Sequence, residues 1–257
     1  MSIPLFFSRI QNRYQRTIND LLFKRTITMH NSAPYISFTF DDFPRSALHT
    51  GGDILLRFGF RGTYYASFGL MGTEAPTGII FVPDDIKKLV AQGHELGCHT
   101  FDHCHSFETS SKVFENSIIK NKLALDKIEQ GISFKSFSYP ISIPRLQTKN
   151  KTGTYFSSCR CGGQTYNSTK IDLNLLKAFF LEKSRNDANA IKKIIDQNCQ
   201  NRGWLIFATH DISENPTPYG CTPSFFEDIV SYSMNSGALI LPVSEAMDAI
   251  CSESALR

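Results

Sequence analysis

The chain has 257 residues, of which 41% are hydrophobic and 20% are charged. A chain of this size and composition buries roughly 70% or more of its unfolded surface, which excludes a disordered chain, a collagen-like repeat and a disulfide-stapled miniprotein. No apolar run approaches the roughly 20 residues that are needed to span a bilayer, and the longest run near the end covers residues 237–243. The composition therefore predicts a soluble globular protein.

Positive charge is concentrated at the N-terminus. Residues 1–30 contain five Lys and Arg against one Asp, a local balance of +4, so the remainder of the chain has a net charge of +3 − 4 = −1. A nucleic-acid-binding protein is expected to have a basic face on its folded part. We therefore expect no nucleic-acid partner.

An apolar stripe at helical spacing runs through the first thirty residues, with arginines between its members. The stripe consists of Phe6, Ile10, Tyr14, Ile18, Leu21 and Leu22. This pattern predicts an N-terminal amphipathic basic helix within residues 1–30. Two functions are open for it, namely peripheral contact with an anionic membrane surface, or packing against the outside of the domain with the arginines in solvent.

From residue 31 to residue 257, strand-like and helix-like segments alternate, which is typical of a parallel sheet with helical crossovers. The predicted strands cover residues 35–40, 62–67, 95–98, 133–139, 154–159, 204–209 and 238–241. The predicted helices cover residues 47–58, 83–92, 110–130, 187–200, 225–234 and 244–251. Six or more such strands suggest a closed or nearly closed barrel. The one linker candidate is residues 147–153, and we predict a single domain over residues 31–257.

Cysteine usage and the N-terminal residues bear on the compartment. The seven cysteines are an odd number without paired CxxC spacing, as expected of buried free thiols in a reducing cytosol. The apolar stretch at residues 3–7 is too short for a signal-peptide core, and no basic segment precedes it. We therefore expect a cytoplasmic protein.

Carboxylates and imidazoles follow several predicted strands. Asp41 and Asp42 follow strand 35–40, His99 follows strand 95–98, and His210 follows strand 204–209. In α/β barrels the side chains at the C-terminal strand ends converge on one mouth, where active sites lie. His99 and His103 also form an HxxxH pair, whose imidazoles can hold one metal ion, although this pair alone is a weak signal. Together, these residues predict one polar pocket.

Four segments resemble motifs of the polysaccharide deacetylases, the NodB-homology enzymes of carbohydrate esterase family four. They are SFTFDD at 37–42, HTFDH at 99–103, FSYP at 137–140 and LIFATH at 205–210, in the family's order. The resemblance extends from Tyr35 to about Ile250. It implies a distorted (β/α) barrel of mainly parallel strands, of the NodB-homology type. It also implies a metal-dependent hydrolase that removes N-acetyl groups from an amino-sugar-containing oligo- or polysaccharide, or its precursor, and releases acetate.

The same resemblance implies roles for five residues. Asp42, His99 and His103 correspond to the ligands of a divalent metal, most often Zn²⁺, with Co²⁺, Ni²⁺ and Mn²⁺ as alternatives. Two imidazoles and a carboxylate leave a coordination position open, as catalytic zinc requires. Asp41 corresponds to the general base, and His210 to the general acid that protonates the departing amine.

The third motif departs from the family pattern. The family often has Arg-x-Pro-Tyr, whereas Ser138 and Ile141 occupy the Arg and Tyr positions here. The backbone N–H of Ile141 can still donate to an oxyanion. Arg160, at the end of the next predicted strand, is either a replacement for the missing guanidinium or a surface arginine. Tyr139, in the same motif, and Tyr219, in the loop after the last motif, are further candidate substrate contacts.

Three other functions stay open at this point. The same site is compatible with hydrolysis of an O-acetyl ester or of another non-peptide amide. A catalytically inactive sugar-binding module would keep the fold but lack Asp41 or His210, and both are present. A thiol-regulated protein built on the seven cysteines would show thiol-dependent activity.

Overall fold

The structure, a computed structural model, describes residues 17–141, 143–185 and 187–255. Within these residues the strands are β1 (Thr26–Thr28), β2 (Tyr35–Phe40), β3 (Thr63–Ala66), β4 (Glu74–Ala75), β5 (Gly78–Ile79), β6 (Glu95–Cys98), β7 (Ser136–Ser138), β8 (Ser158–Gly162), β9 (Lys170–Asp172), β10 (Leu176–Phe180), β11 (Trp204–Thr209) and β12 (Leu239–Ile240). Seven of them form a closed parallel barrel in the order β2, β3, β6, β7, β8, β10, β11, and β11 pairs back onto β2. The predicted (β/α) barrel is confirmed.

Strands β2 and β11 form the longest ladder of the barrel. They pair in parallel over six residues each, from Tyr35 opposite Trp204 to Phe40 opposite Thr209. Every residue of both strands is buried, which explains why β11 is a nearly continuous apolar run. The few polar groups are satisfied inside the barrel, where the Trp204 indole N–H donates to Ser37 Oγ at 3.0 Å.

Helices cover the outside of the barrel. They are Asp53–Arg57, Pro83–Ala91, Ser111–Ile128, Leu146–Thr152, Ala188–Gln200, Pro223–Asn235 and Val243–Ala255, with a π-helical stretch at Ala47–Gly52. In the described ranges, no helix has both the length and the apolar composition of a membrane span. The C-terminal helix packs Val243, Met247 and Ile250 against Tyr35 and Trp204, and thereby closes the end of the barrel where the strands begin. This helix does not cover the mouth of the barrel at the C-terminal ends of the strands, where a site can lie.

The segment between β7 and β10 differs most from the prediction. Residues 147–153 are not a linker but lie largely in the helix Leu146–Thr152, whose Lys149 is fully buried. Turns at residues 153–155 follow this helix, so β8 begins at Ser158 and not at residue 154 as predicted. Strands β9 and β10 were not predicted, because each is short and mixes charged with apolar residues.

The predicted N-terminal helix lies mostly at residues 1–16, outside the described residues. Residues 17–21 are helical, but a helix cannot extend to residue 30, since β1 pairs antiparallel with β9. The helix ends where Phe23 adopts a positive φ of 49° and where the Lys149 ammonium donates to the carbonyl of Leu22 at 2.8 Å. Asn19 is buried against the domain, whereas Leu21 is exposed.

Candidate active site

Two adjacent carboxylates stand at the end of β2, at the mouth of the barrel. The Asp41 N–H donates to the Thr209 carbonyl at 2.9 Å and so extends the β2–β11 ladder by one residue. Asp42 and Phe43 then adopt positive φ values of 60° and 58°, which turn the chain away from the barrel. Both carboxylates are buried, with Asp41 5% and Asp42 6% exposed. Burial of two adjacent carboxylates is costly unless each has a cationic or hydrogen-bonding partner.

Asp42 faces the two histidines of the HxxxH motif. Its Oδ1 lies 3.1 Å from His103 Nε2 and 3.5 Å from His99 Nε2. One ligand atom from each of the three residues lies within 4.8 Å of the other two. The sequence prediction that these side chains converge is therefore confirmed in geometry.

The hydrogen bonds around this cluster leave its ligand atoms free. His99 Nδ1 donates to the Ser138 carbonyl at 2.8 Å, so the proton sits on Nδ1 and the lone pair of Nε2 points into the cluster. Thr77 donates to Asp42 Oδ2 at 3.0 Å, whereas Asp42 Oδ1 is buried and accepts no hydrogen bond from the described residues. A buried, unsatisfied carboxylate oxygen between two imidazole nitrogens fits a divalent cation, with a set of donors that zinc sites use.

The charges of the cluster shift the pKa values in directions that suit a metal site. Burial opposes ionisation of Asp42, but the neighbouring imidazoles of His103 and His99 hold its pKa below the ordinary value. Burial lowers the pKa of His99 to about 4, so this imidazole is neutral at pH 7. Burial also disfavours the charged form of His103, yet the Asp42 carboxylate raises its pKa. A cation bound here would supply the partner that Asp42 Oδ1 lacks among the described residues.

Asp41 has a separate partner, Arg160. The Arg160 guanidinium forms a hydrogen-bonded ion pair with Asp41 Oδ1, and Arg160 is only 1% exposed. Burial opposes ionisation of Asp41, but the Arg160 guanidinium, with smaller contributions from His99 and His210, holds its pKa below the ordinary value of 3.8. Of the two readings of Arg160, the structure excludes the surface arginine.

The register of the barrel explains why Arg160 reaches this position. Ser138 on β7, where the family motif often has arginine, is the ladder partner of Arg160 on β8. Because the Ser138 side chain is small, the guanidinium of Arg160 on the neighbouring strand has room at the same level of the barrel. The guanidinium also lies over the Tyr65 ring, with its carbon 4.7 Å from the ring centre. Gly97, the ladder partner of Tyr65, leaves the space for this ring, because a Cβ at Gly97 would lie 2.4 Å from it.

His210 follows β11 at the rim of the mouth and is partly exposed. Its Nδ1 lies 3.2 Å from the Tyr219 carbonyl, and the two rings are 5.6 Å apart. The Tyr219 side chain is exposed beside it. Glu182, which follows β10, interacts electrostatically with His210 and Asp41, and burial raises the pKa of Glu182 to about 7.

The two remaining candidates of the third motif have different environments. The Tyr139 ring is buried against Phe137. The backbone N–H of Tyr139 already donates to the Arg160 carbonyl at 3.0 Å. Tyr139 is thus a core residue, and the structure does not bring it to the mouth as predicted. Ile141 is exposed, has a positive φ of 66° and, among the described residues, offers an N–H without a hydrogen-bond partner.

Three residues near the site have positions that the sequence did not predict. Thr77 lies in the turn of the hairpin β4–β5, and Glu182 follows strand β10. Neither the hairpin nor β10 was predicted. Tyr65 is in a predicted strand, but only the closed barrel places its ring under Arg160. No motif marks these residues.

Comparison with known proteins gives a family match over part of the chain and a shared fold. Residues 28–153 match the family described as polysaccharide deacetylase. The chain is 30% identical over 91 residues to the peptidoglycan-N-acetylglucosamine deacetylase PgdA of Listeria monocytogenes, which is 35% of this chain but only 18% of that protein. The chain therefore aligns with less than a fifth of the length of this curated relative.

Two solved structures share the barrel. The chitin deacetylase from Colletotrichum lindemuthianum superposes with a TM-score of 0.61 at 19% identity, over 85% of this chain and 89% of that chain. PdaA of Bacillus subtilis, a family 4 carbohydrate esterase, has a TM-score of 0.59 at 13% identity, over 91% and 89% of the two chains. The family match includes both aspartates and the HxxxH pair. Residues 28–153 of this chain thus match the polysaccharide deacetylase family, and the chain shares the barrel fold of the chitin deacetylase.

Proposed function

We propose that this chain is a metal-dependent hydrolase that removes N-acetyl groups from an amino-sugar-containing oligo- or polysaccharide, or from its precursor, and releases acetate. The observation that carries the proposal is that two adjacent buried carboxylates have different partners. Asp42 faces two imidazoles, whereas Asp41 faces a guanidinium. One carboxylate is thus suited to binding a cation and the other to accepting a proton.

Asp42, His99 and His103 would hold the ion. Zn²⁺ suits two imidazole nitrogens and one carboxylate oxygen, and Co²⁺, Ni²⁺ and Mn²⁺ are the alternatives. When bound, the ion supplies Lewis acidity, which polarises the acetyl carbonyl and lowers the pKa of a water molecule.

Asp41 acts as the general base in this proposal. Its low pKa keeps it ionised at neutral pH, so it can accept the proton of the attacking water. The Tyr219 carbonyl accepts a hydrogen bond from His210 Nδ1, so Nε2 is the ring atom from which His210 would donate a proton to the departing nitrogen. The free N–H of Ile141 donates to the developing oxyanion. The exposed Tyr219 ring offers a stacking surface for a sugar.

We further propose that the protein acts in the cytoplasm and that residues 1–30 contact an anionic membrane surface. Seven free cysteines, five of them buried, support a reducing compartment. Leu21, Leu22 and Phe23 are consecutive exposed apolar side chains beside Lys24, which supports the membrane contact. The apolar side chains can enter the lipid interface while lysine and arginine side chains pair with anionic headgroups.

The test is acetate release by metal-reconstituted protein from N-acetylglucosamine oligomers of defined length. We expect release with the wild type, and a fall of about 10²–10⁴-fold when His210→Gln removes the general acid. The matched control is His49→Gln, since His49 pairs with Asp85 outside the site.

Parallel assays with O-acetylated sugars separate the competing activities. Release from O-acetyl esters alone would make the protein an esterase. Binding of the oligomers without any acetate release by metal-loaded protein would make it an inactive sugar-binding module and would contradict the proposal.

A further inference from the structure

We propose that Thr77, at the tip of the hairpin β4–β5, is a positioning residue that sets the orientation of the metal ligand Asp42. The inference rests on the proposed function only for the identity of Asp42 as a ligand. It assigns to a short hairpin, which carries none of the sequence motifs, a part in metal affinity.

The tip of this hairpin points inward, although its strands lie at the surface. Ile79 on β5 is 62% exposed, whereas Thr77, in the turn between the strands, is 5% exposed. The Thr77 hydroxyl donates to Asp42 Oδ2 at 3.0 Å. A buried hydroxyl needs a hydrogen-bond partner, and a carboxylate is a strong one.

The hairpin is also fastened to the chain that directly follows Asp42. Ile80 forms an isolated antiparallel bridge with Pro44, and the Phe81 N–H donates to the Phe43 carbonyl at 3.1 Å. The Phe43 and Phe81 rings stack with their centres 4.9 Å apart. Hydroxyl and ligand therefore belong to one packed unit, and their distance does not depend on a flexible loop.

This support matters because the backbone at Asp42 is unfavourable. Asp42 and Phe43 both have positive φ, a conformation that non-glycine residues keep only when surrounding contacts hold it. In addition, the terminal torsion of an aspartate side chain is broad, so the carboxylate can rotate. A donor fixed on Oδ2 restricts that rotation and directs Oδ1 to His99 Nε2 and His103 Nε2.

Residues that orient metal ligands in this way typically contribute 10–100-fold to metal affinity. The test is a comparison of Zn²⁺ affinity, measured by competition with a chromophoric chelator, for the whole protein and for Thr77→Val and Thr77→Ser. Valine keeps the shape of threonine but lacks the hydroxyl, so we expect 10–100-fold weaker binding. Serine keeps the hydroxyl, so we expect affinity close to that of the wild type.

Thr73→Val is the matched control. Thr73 belongs to the same hairpin region, but its hydroxyl donates to the Leu70 carbonyl at 2.7 Å and not to the site. We expect wild-type Zn²⁺ affinity for this variant. Circular dichroism of the metal-free variants checks that each has the wild-type fold before the affinities are compared.

Wild-type affinity in Thr77→Val would overturn the inference, as would an equal loss in Thr73→Val, which would indicate a general effect on hairpin packing. A loss in Thr77→Val that serine also shows would overturn the role of the hydroxyl. These outcomes are independent of acetate release. The proposed function fails when the wild type binds Zn²⁺ but releases no acetate, and the positioning role of Thr77 would still be measured.

Discussion

Replacement of Arg160 by methionine tests the division of roles at the mouth of the barrel. Arg160 is 1% exposed and its partner Asp41 is 5% exposed, so water cannot replace the lost guanidinium without rearrangement. Removal of one partner of a buried ion pair typically costs about 3–5 kcal/mol of unfolding free energy. We expect a loss of this size at pH 7 in urea unfolding monitored by circular dichroism.

The loss of unfolding free energy in Arg160→Met should become smaller in acid. In the wild type the pKa of Asp41 is lowered, so its ionised form contributes stability above the ordinary value of 3.8, and that stability is lost as the pH falls through the lower, folded-state pKa. Without Arg160, burial dominates and raises the pKa of Asp41. The difference in stability between wild type and variant should therefore narrow in acid, where Asp41 is protonated in both.

Catalysis should respond in the same direction. A nearby cation lowers a carboxylate pKa by about 1–3 units, so the acidic limb of the pH–rate profile for acetate release should move upward by about that amount in Arg160→Met. Arg57→Met is the control, because the Arg57–Glu227 pair is exposed on both sides. This variant should change stability by about 0.5 kcal/mol or less. An unmoved pH–rate profile with an unchanged rate would show that Arg160 does not act on Asp41.

Three further predictions follow from the structure. Asp42→Ala should lose metal as well as activity, whereas Asp41→Asn should keep about one equivalent of metal by atomic absorption while turnover falls about 10²–10⁴-fold; the reverse pattern would exchange the two roles. Lys149→Met should lower the free energy of unfolding in urea by about 3–5 kcal/mol, because Asp172, which lies 2.6 Å from the Lys149 ammonium, loses its buried partner. An unchanged unfolding midpoint would contradict this. Serine substitution of residues 21–23 should weaken co-sedimentation with anionic vesicles, and equal binding of the wild type to neutral vesicles would refute the electrostatic part of the membrane contact.

The alternation of strands and helices and the position of the polar residues could be predicted from the sequence, because both are local properties. Strands β2 and β11 have clear apolar patterns, since the barrel buries them on both faces. Asp41, Asp42, His99 and His210 come directly after such strands. The general rule that parallel strands bring their C-terminal ends to one mouth was then enough to predict that these side chains meet.

Short and charged elements could not be predicted, since tertiary contacts stabilise them. The helix Leu146–Thr152 contains three polar or charged residues that are buried, among them Lys149, whose partners are Asp172 and the backbone of residues 19–22. No pattern in the sequence around residue 149 indicates those partners. Strand β10 likewise exists as a barrel strand because β8 and β11 flank it.

The sequence by itself determined which carboxylates and imidazoles stand at the strand ends, because the strand patterns and the residues that follow them are local properties of the chain. Only the tertiary structure decided which residues support that set. Arg160 faces Asp41 because the barrel aligns it with Ser138 across a ladder, and Thr77 faces Asp42 because a hairpin folds back over the residues after it. These contacts join residues 119 and 35 positions apart, and chain separation of that kind leaves no periodic pattern in the sequence.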